Sequence, residues 1–493
     1  MKPLKKIPFF LFLLVFFFCL HGWLENYGFI SSSEVLFTGL FIFFGMLLLT
    51  AILFLFTKKL LHASLITFFI ALWYLFFGAM HDWVKNIAWL HFMHSYSVIL
   101  PLLLIVNIAY IFLLKRYVSF RPKLFFYLNI LLLVYCLIDG FLLLNKTFNN
   151  KNIAPTTSSV VFETSKVTAK PNVYFIVFDC YAGYKSLQDS FGFKNDSLYN
   201  FLQLKYFKIL PSFSNYNFTF FSMSSMLNMQ YIQYDYHNKI AVQADMQKRI
   251  NEIKNGNLFS IFNSMGYSIE NYSIFDIKNK PGVSNNNVIV PMHADLITNK
   301  ILHNRLLLDF GYLLYKFNYF GRRHIFQHDN DNNTSYNNLM ASIEKTNNSP
   351  KFVYTHLLMP HAPYFKDSVG NYLPINKFNV ESKTNYLSYL KYTNTIIKSI
   401  VDKITLQDSS ALVLLVSDHG YNNKGSVRIF DTAQISAEQY TFNNLCAVRF
   451  PDKRFDSAKI TMSNVNIFRY LFNAQFAQKI PYLKDSTVLV NHD

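Results

Sequence analysis

The stretch Ala411-Leu-Val-Leu-Leu-Val-Ser-Asp-His-Gly420 decides the fold. Its apolar start reads as a buried strand. The strand ends in an acid and an imidazole side by side, which places two metal-ligating groups at one lip of a sheet. Carboxylate oxygen with neutral imidazole suits zinc or manganese. A second run, Val173-Tyr-Phe-Ile-Val-Phe178, also ends in an acid, Asp179. Two strands that end in acids can converge on one ion.

Working outward, apolar runs predict strands over 173–178, 207–211, 267–270, 352–358, 411–416 and 445–450, with a further short run at 288–291. Helical stretches fall over 195–205, 219–229, 256–265, 296–318 and 382–404. This alternation predicts a mostly parallel sheet with helices on both faces. The active site of such a sheet lies beyond the carboxyl ends of its strands. Asp179, Asp418 and His419 all sit at such ends. There is no internal repeat and no glycine-rich dinucleotide or Walker loop.

The first 145 residues are of another kind. The chain is 52% hydrophobic and 18% aromatic, and nearly all its long apolar runs lie here. A spanning helix needs about 20 apolar residues. Five stretches qualify: 7–24, 35–57, 63–81, 92–114 and 124–145. The first follows Lys2, Lys5 and Lys6 like a signal peptide. It lacks a small-x-small cleavage site and more spans follow, so it reads as a retained helix. Basic residues cluster before the first span, after the second (Lys58, Lys59) and after the fourth (Lys115, Arg116, Arg121, Lys123). The loops between carry Glu25 and Glu34, or His81, Asp82 and Lys85. That alternation predicts five crossings, a cytoplasmic N-terminus and an extracytoplasmic C-terminal half. The domain plan is an all-α transmembrane domain of five helices over 1–145, a Ser/Thr/Asn-rich linker over 146–169, and one α/β domain over 170–493.

Several polar features fit that plan. His91, His94 and Ser95 beside Trp89 read as an interfacial belt rather than a headgroup site. Asp139 lies inside the fifth span and needs a partner that the sequence does not name. The net charge of +17 is scattered among Asn- and Lys-rich stretches, without a basic stripe interleaved with aromatics. No nucleic-acid partner is expected; an anionic membrane suits the balance better. Of the four cysteines, Cys19 and Cys136 lie in apolar runs, while Cys180 and Cys446 are far apart. With no CxxC, neither a zinc ribbon nor a redox motif is supported, and a Cys180–Cys446 disulfide is not expected.

Four segments carry chemistry. Asp179 closes the first strand, as a turn residue or as a ligand. In Ser214-Asn-Tyr-Asn-Phe-Thr219-Phe-Phe-Ser222, Thr219 begins a helix. Its hydroxyl can cap that helix, or act as a nucleophile with the helix N-terminus steadying a phosphate. In Phe352-Val-Tyr-Thr-His356-Leu-Leu-Met-Pro360-His361-Ala-Pro363-Tyr364, the prolines hold His361 just past a strand. An imidazole there can bind a phosphate oxygen or protonate a leaving group. His356 reads as a core histidine. The fourth segment is Ser417-Asp418-His419-Gly420, where glycine lets the chain turn away.

In this order the four segments resemble the alkaline phosphatase superfamily, in particular its membrane-anchored sulfatase-like transferases. The resemblance covers residues 170–493, and the five preceding spans resemble the layout of lipoteichoic acid synthases and phosphoethanolamine transferases. It implies an alkaline-phosphatase-like α/β domain in a bacterial inner membrane. It also implies one divalent metal ion, zinc or manganese, on Asp179, Thr219, Asp418 and His419. Thr219 would attack phosphorus and form a phospho-threonine, and His361 would contact the phosphate or the leaving oxygen. The partners implied are a phospholipid donor and a lipid or glycan acceptor.

Departures accompany the match. The transferases carry Glu where this chain has Asp179, a feature closer to phosphatases and sulfatases. The Cys-x-Pro-x-Arg of formylglycine sulfatases is absent. The only later histidine is His492, which argues for a single metal, or a second held weakly by His356 or His361. Lys424, Arg428 and Arg449 are candidate charges for the rest of a substrate. Three activities follow: transfer of a phospho-alcohol headgroup, hydrolysis of phosphate esters at the same site, or a silent envelope scaffold. The presence of Asp179, Thr219, Asp418 and His419 weighs against silence.

Overall fold

The computed structural model describes residues 8–27, 30, 32–87, 92–151, 160–233, 243–283, 294–314, 326–345, 349–374, 377, 382–421, 440–451 and 461–490. Trp89, His91, Lys424, Arg428, His492 and the apolar run at 288–291 lie outside the described residues. The chain forms two compact units, Met1–Ala154 with Asn287–Arg322, and Pro155–Asn286 with Arg323–Asp493.

The first unit opens with five apolar helices: α1 (Phe9–Glu25), α2 (Ser32–Thr57), α3 (Leu60–Asn86), α4 (Tyr96–Arg116) and α5 (Arg121–Lys151). Four of these, α2 to α5, are long and apolar enough to cross a membrane; α1 has 17 described residues. Helix α1 is held on several sides. Phe10 meets Phe68 of α3 and Phe125 of α5 edge-on, both at 5.4 Å. The outer faces stay apolar, with Phe41 76% and Phe56 82% exposed. A water-soluble bundle would not leave rings of that size outward in such number. Asp139 finds its partner on α1, where His21 Nδ1 lies 2.9 Å from Oδ2.

Chain order then gives α6 (Tyr184–Phe191), α7 (Asp196–Leu204), α8 (Thr219–Asn228), α9 (Gln243–Lys254) and α10 (Asn257–Ser264) in the second unit. The next two, α11 (Ala294–Thr298) and α12 (Leu302–Leu314), return to the first. Here the structure departs from the expected domain plan, which gave 170–493 to one domain. Ile297 and Ile301 enter the apolar cluster of α1, α3 and α5. The Gly78 N–H donates to the Lys300 carbonyl at 2.7 Å, and a Cβ on Gly78 would come within 2.8 Å of Lys300 Cα. Asp82 takes Arg305 and Lys300, and Tyr96 donates to Asp309. Apolar burial and paired charges together hold the segment to α3 and α4.

In the second unit a six-stranded sheet runs in the order β2-β7-β6-β1-β5-β4. Its strands are β1 (Val173–Phe178), β2 (Lys208–Ile209), β4 (Ser268–Tyr272), β5 (Lys351–Leu357), β6 (Leu412–Ser417) and β7 (Cys446–Arg449); β3 (Ser212–Phe213) and β8 (Met462–Ser463) form a separate pair. β4, β5, β1 and β6 are parallel, β7 runs antiparallel to β6, and β2, antiparallel to β7, takes the direction of the other four. The core strands β1, β5 and β6 are buried throughout and read as continuous apolar runs for that reason. One face carries Phe175, Val177, Tyr354, Leu414 and Val416 against Met223, Met226 and Leu227 of α8 and Phe468 and Leu471 of α15 (Ile467–Gln475). The remaining helices are α13 (Gln327–Glu344) and α14 (Lys383–Gln407).

Candidate active site

Register places the site. β1 pairs with both neighbours in phase: Val177 lies opposite His356 of β5 and Val416 of β6. Side chains alternate faces along a strand, so Asp179 and Asp418, each two residues on, continue the same face. His356 is therefore one row below the two acids and on their side of the sheet. Oxygens of Asp179 and Asp418 and a ring nitrogen of His356 lie within 4.8 Å of one another, all three residues buried.

Thr219 and His419 join this cluster. Thr219 Oγ1 is 3.4 Å from His419 Nε2, which lies 3.5 Å from Asp418 Oδ2 and 3.6 Å from Asp179 Oδ1. His419 Nδ1 donates to the Gly420 carbonyl at 2.8 Å, and this turns Nε2 toward the acids. A Cβ on Gly420 would stand 2.3 Å from the Asn443 carbonyl oxygen, so close packing, as well as turning, demands glycine there. After Asp179 the chain bends through Cys180 at φ 64, a left-handed value that a non-glycine residue rarely adopts. The bend brings the Cys180 N–H to Asp418 Oδ1 at 3.1 Å.

Thr219 is the first residue of α8, and its own side chain is not the helix cap. Buried asparagines fix the loop before it. Asn215 Nδ2 donates to the Ser486 carbonyl at 2.8 Å, and Asn217 Oδ1 accepts the Val490 N–H at 2.7 Å. Ser222, one turn into α8, donates to the Asp418 carbonyl at 2.5 Å, and Asn464 Nδ2 donates to the same oxygen at 2.8 Å. The helix bearing the hydroxyl is thus pinned to the strand end bearing Asp418.

The electrostatics are those of a site built for a cation. Asp179 Oδ1, Asp418 Oδ2 and His356 Nε2 are buried and have no hydrogen-bond partner among the described residues. Burial pushes the Asp179 carboxyl well above the usual carboxylate range, and the Asp418 charge adds to that. Burial alone would raise Asp418 too, but His419, His356, Thr219 and the Cys180 N–H hold it below its ordinary value. Burial opposes the charge on His419, and the Asp418 and Asp179 carboxylates outweigh it, so its pKa is raised. Burial drives His356 down to about 4, which leaves a neutral imidazole. Carboxylate oxygens with neutral imidazole are a donor set for zinc or manganese. The residues fit a divalent ion.

The structure thus brings Asp179, Thr219, Asp418 and His419 together. It also draws in His356, read from sequence as a core histidine. The signal was there in the alternation along β5, but it needs the register with β1 to be legible. His361 follows the strand in a half-buried loop with cis peptides before Pro360 and Pro363. Its Nδ1 donates to the Ala362 carbonyl. Arg449 does not belong here: it pairs with Val413 at the opposite end of β6 and donates to the Ala411 and Ser409 carbonyls. Antiparallel β7 carries it away from the strand ends that form the site. All four cysteines are free thiols.

The sequence profile of the sulfatase family matches residues 207–470, more than half of the chain. The protein belongs to the sulfatase family and is a sulfatase-like hydrolase or transferase. No curated protein matches the sequence. Solved structures similar to it include the C-terminal periplasmic domain of EcEptC from Escherichia coli, with 10% identity and a TM-score of 0.38 over 65% of this chain and 85% of that one. Phosphonate monoester hydrolase of Agrobacterium radiobacter gives 12% and 0.39 over 65% and 76%. SpPMH from Silicibacter pomeroyi gives 14% and 0.36 over 65% and 76%. The family assignment rests on the profile match.

Proposed function

We propose that this chain is a metal-dependent phospho-group transferase of a bacterial envelope. It moves a phospho-alcohol headgroup from a phospholipid donor to a surface glycan or lipid acceptor through a phospho-threonine. One observation carries this reading: a hydroxyl at a helix start lies within 3.4 Å of an imidazole nitrogen that also faces two unpartnered, buried carboxylate oxygens. Five crossings, a cytoplasmic N-terminus and an extracytoplasmic second unit belong to the same proposal, supported by the alternation of basic loops.

Asp179, Asp418, His419 and Thr219 would hold one ion, with His356 as a further donor. When bound, zinc or manganese supplies Lewis-acid charge that makes the hydroxyl acidic and offsets negative charge on the transferred group. Thr219 gives its proton to solvent, and Oγ1 attacks phosphorus in line as the bond to the leaving alcohol breaks. His361 hands a proton to that alcohol. The acceptor hydroxyl then returns a proton to His361 and attacks the same phosphorus, the bond to Oγ1 breaks, and Oγ1 takes a proton back from solvent. Ser222 and Asn464 hold α8 and the Asp418 segment in register through both steps.

Hydrolysis, with water as acceptor, is the second reading, and Asp rather than Glu at 179 favours it. Intact-mass analysis after incubation with a total lipid extract tests the shared step. An adduct on Thr219 is expected, and its mass identifies the group; no adduct on wild-type protein loaded with zinc or with manganese refutes both. Labelled phosphatidylethanolamine with and without envelope acceptor separates them, because label confined to water-soluble products rules out transfer.

A further inference from the structure

The two oxygens of Asp418 are used differently. Oδ1 accepts the Cys180 N–H at 3.1 Å and the His419 N–H at 2.8 Å. Oδ2 is left toward the cluster, 3.5 Å from His419 Nε2. The direction of that carboxylate therefore depends on where the Cys180 N–H points. Cys180 stands in the left-handed region, at φ 64. A residue with a Cβ keeps that conformation only where its surroundings hold it.

Two side chains hold the turn. The Tyr181 N–H donates to Ser417 Oγ at 2.8 Å, a contact between the two strand ends themselves. The second side chain comes from outside them. The Tyr386 hydroxyl donates to the Cys180 carbonyl at 2.8 Å and accepts the Ala182 N–H at 3.0 Å. One oxygen thus spans the turn over residues 180–182. Tyr386 is 0% exposed, and burial pushes its pKa well above the usual phenol range, so the hydroxyl keeps its proton and remains a donor.

Tyr386 is itself fixed. It lies in the first turn of α14, where its N–H donates to the Ser382 carbonyl at 2.9 Å and the Ser382 hydroxyl accepts the Asn385 N–H at 3.1 Å. Its ring packs on Tyr421, with centres 4.4 Å apart, and on Tyr364, at 6.0 Å. Tyr421 follows His419 by two residues, and Tyr364 follows His361 by three. One side chain therefore meets the segments that leave β1, β5 and β6: its ring packs against two, and its hydroxyl binds the third.

We propose that Tyr386 is a positioning residue of the metal site. Its hydroxyl holds the Cys180 bend, and that bend aims Asp418 Oδ2 at the ion. This rests on reading the cluster as a metal site. No sequence motif marks Tyr386, because a tyrosine in the first turn of an amphipathic helix looks like core.

The test measures the affinity of full-length protein in detergent for zinc and for manganese, by competition with a chelator of known affinity. Tyr386→Phe keeps the ring and removes one oxygen. The ion should bind about tenfold more weakly or worse, the usual cost of losing a group that orients a ligand. Thr393→Val on the same helix is the comparison. It removes a buried hydroxyl whose hydrogen bond, to the Tyr389 carbonyl at 2.9 Å, stays within the helix. That variant should lower the melting temperature without changing metal affinity. Cys180→Gly, added to Tyr386→Phe, should recover part of the lost affinity, because glycine adopts a left-handed turn unaided. Melting of the metal-free variants checks the fold. Metal affinity in Tyr386→Phe no weaker than in Thr393→Val overturns the proposal, as does a double variant no better than the single one. A wild-type protein that binds neither ion overturns it together with the metal-site reading. The Thr219 adduct is scored separately. Affinity lost in Tyr386→Phe and recovered by glycine, with no adduct on wild type, upholds the role of Tyr386 and removes only the transfer reading.

Discussion

Asp139 and Asp179 are both buried carboxylates, one in each unit, and the protein treats them in opposite ways. Asp139 is 7% exposed and meets His21 Nδ1 at 2.9 Å. Asp179 is 3% exposed, its Oδ1 has no hydrogen-bond partner among the described residues, and the His419 nitrogen near it at 3.6 Å is shared with Asp418. Asp139 has an imidazole nitrogen at hydrogen-bond distance, while the other nitrogen of that ring faces Glu25 at 3.5 Å. A pair of buried acids sharing one imidazole remains short of positive charge, and a divalent ion supplies what is missing. Asp82, held by Arg305 and Lys300, belongs with Asp139.

The comparison can be broken at several points. The largest effect is expected from Thr219→Ala, which removes the attacking oxygen. Turnover of a chromogenic phosphodiester should fall on the order of 10⁴-fold or more, with the melting temperature preserved. Full activity would end the nucleophile assignment. Asp418→Asn comes next: bound metal, measured by mass spectrometry of the purified protein, should drop from about one ion per chain toward none.

His356 gives a pH signature in metal-free protein. Its folded pKa is about 4, whereas the unfolded chain takes the proton near 6.5. Between those values the unfolded state binds more protons at this ring, so the His356 contribution to stability falls as pH falls through that window and is fully present above it. The loss at the acid end is about 3 kcal/mol, readable from denaturant midpoints, and His356→Asn should flatten it. A variant with the same slope as wild type would remove His356 as the cause. Asp139→Asn should show the smallest effect, about 1–2 kcal/mol of stability, with turnover and metal content unchanged. A loss of metal in that variant would contradict the division between the two acids.

Much of this was legible from residue order. The runs at 173–178, 352–358 and 411–416 became β1, β5 and β6 within a residue, because buried parallel strands must be apolar on both faces. Asp179, Thr219, Asp418 and His419 could be singled out because each follows or begins such an element. The same rule hid His356: inside a strand that is apolar throughout, an imidazole looks like core. It also gave no warning that α11 and α12 leave the α/β unit, since their apolar spacing is that of any amphipathic helix.

The sequence by itself determined the helices apolar enough to cross a membrane, the strand-and-helix alternation and the residue types of the site. Those depend on local periodicity and on short motifs. Only the tertiary structure decided that His356 shares a face with Asp179 and Asp418, that Arg449 lies at the far end of β6, and that His21 partners Asp139. Each of these joins segments separated along the chain, or turns on which way a strand runs. Strand register, strand direction and buried charge pairing set such relations, and they come into being only when the chain packs.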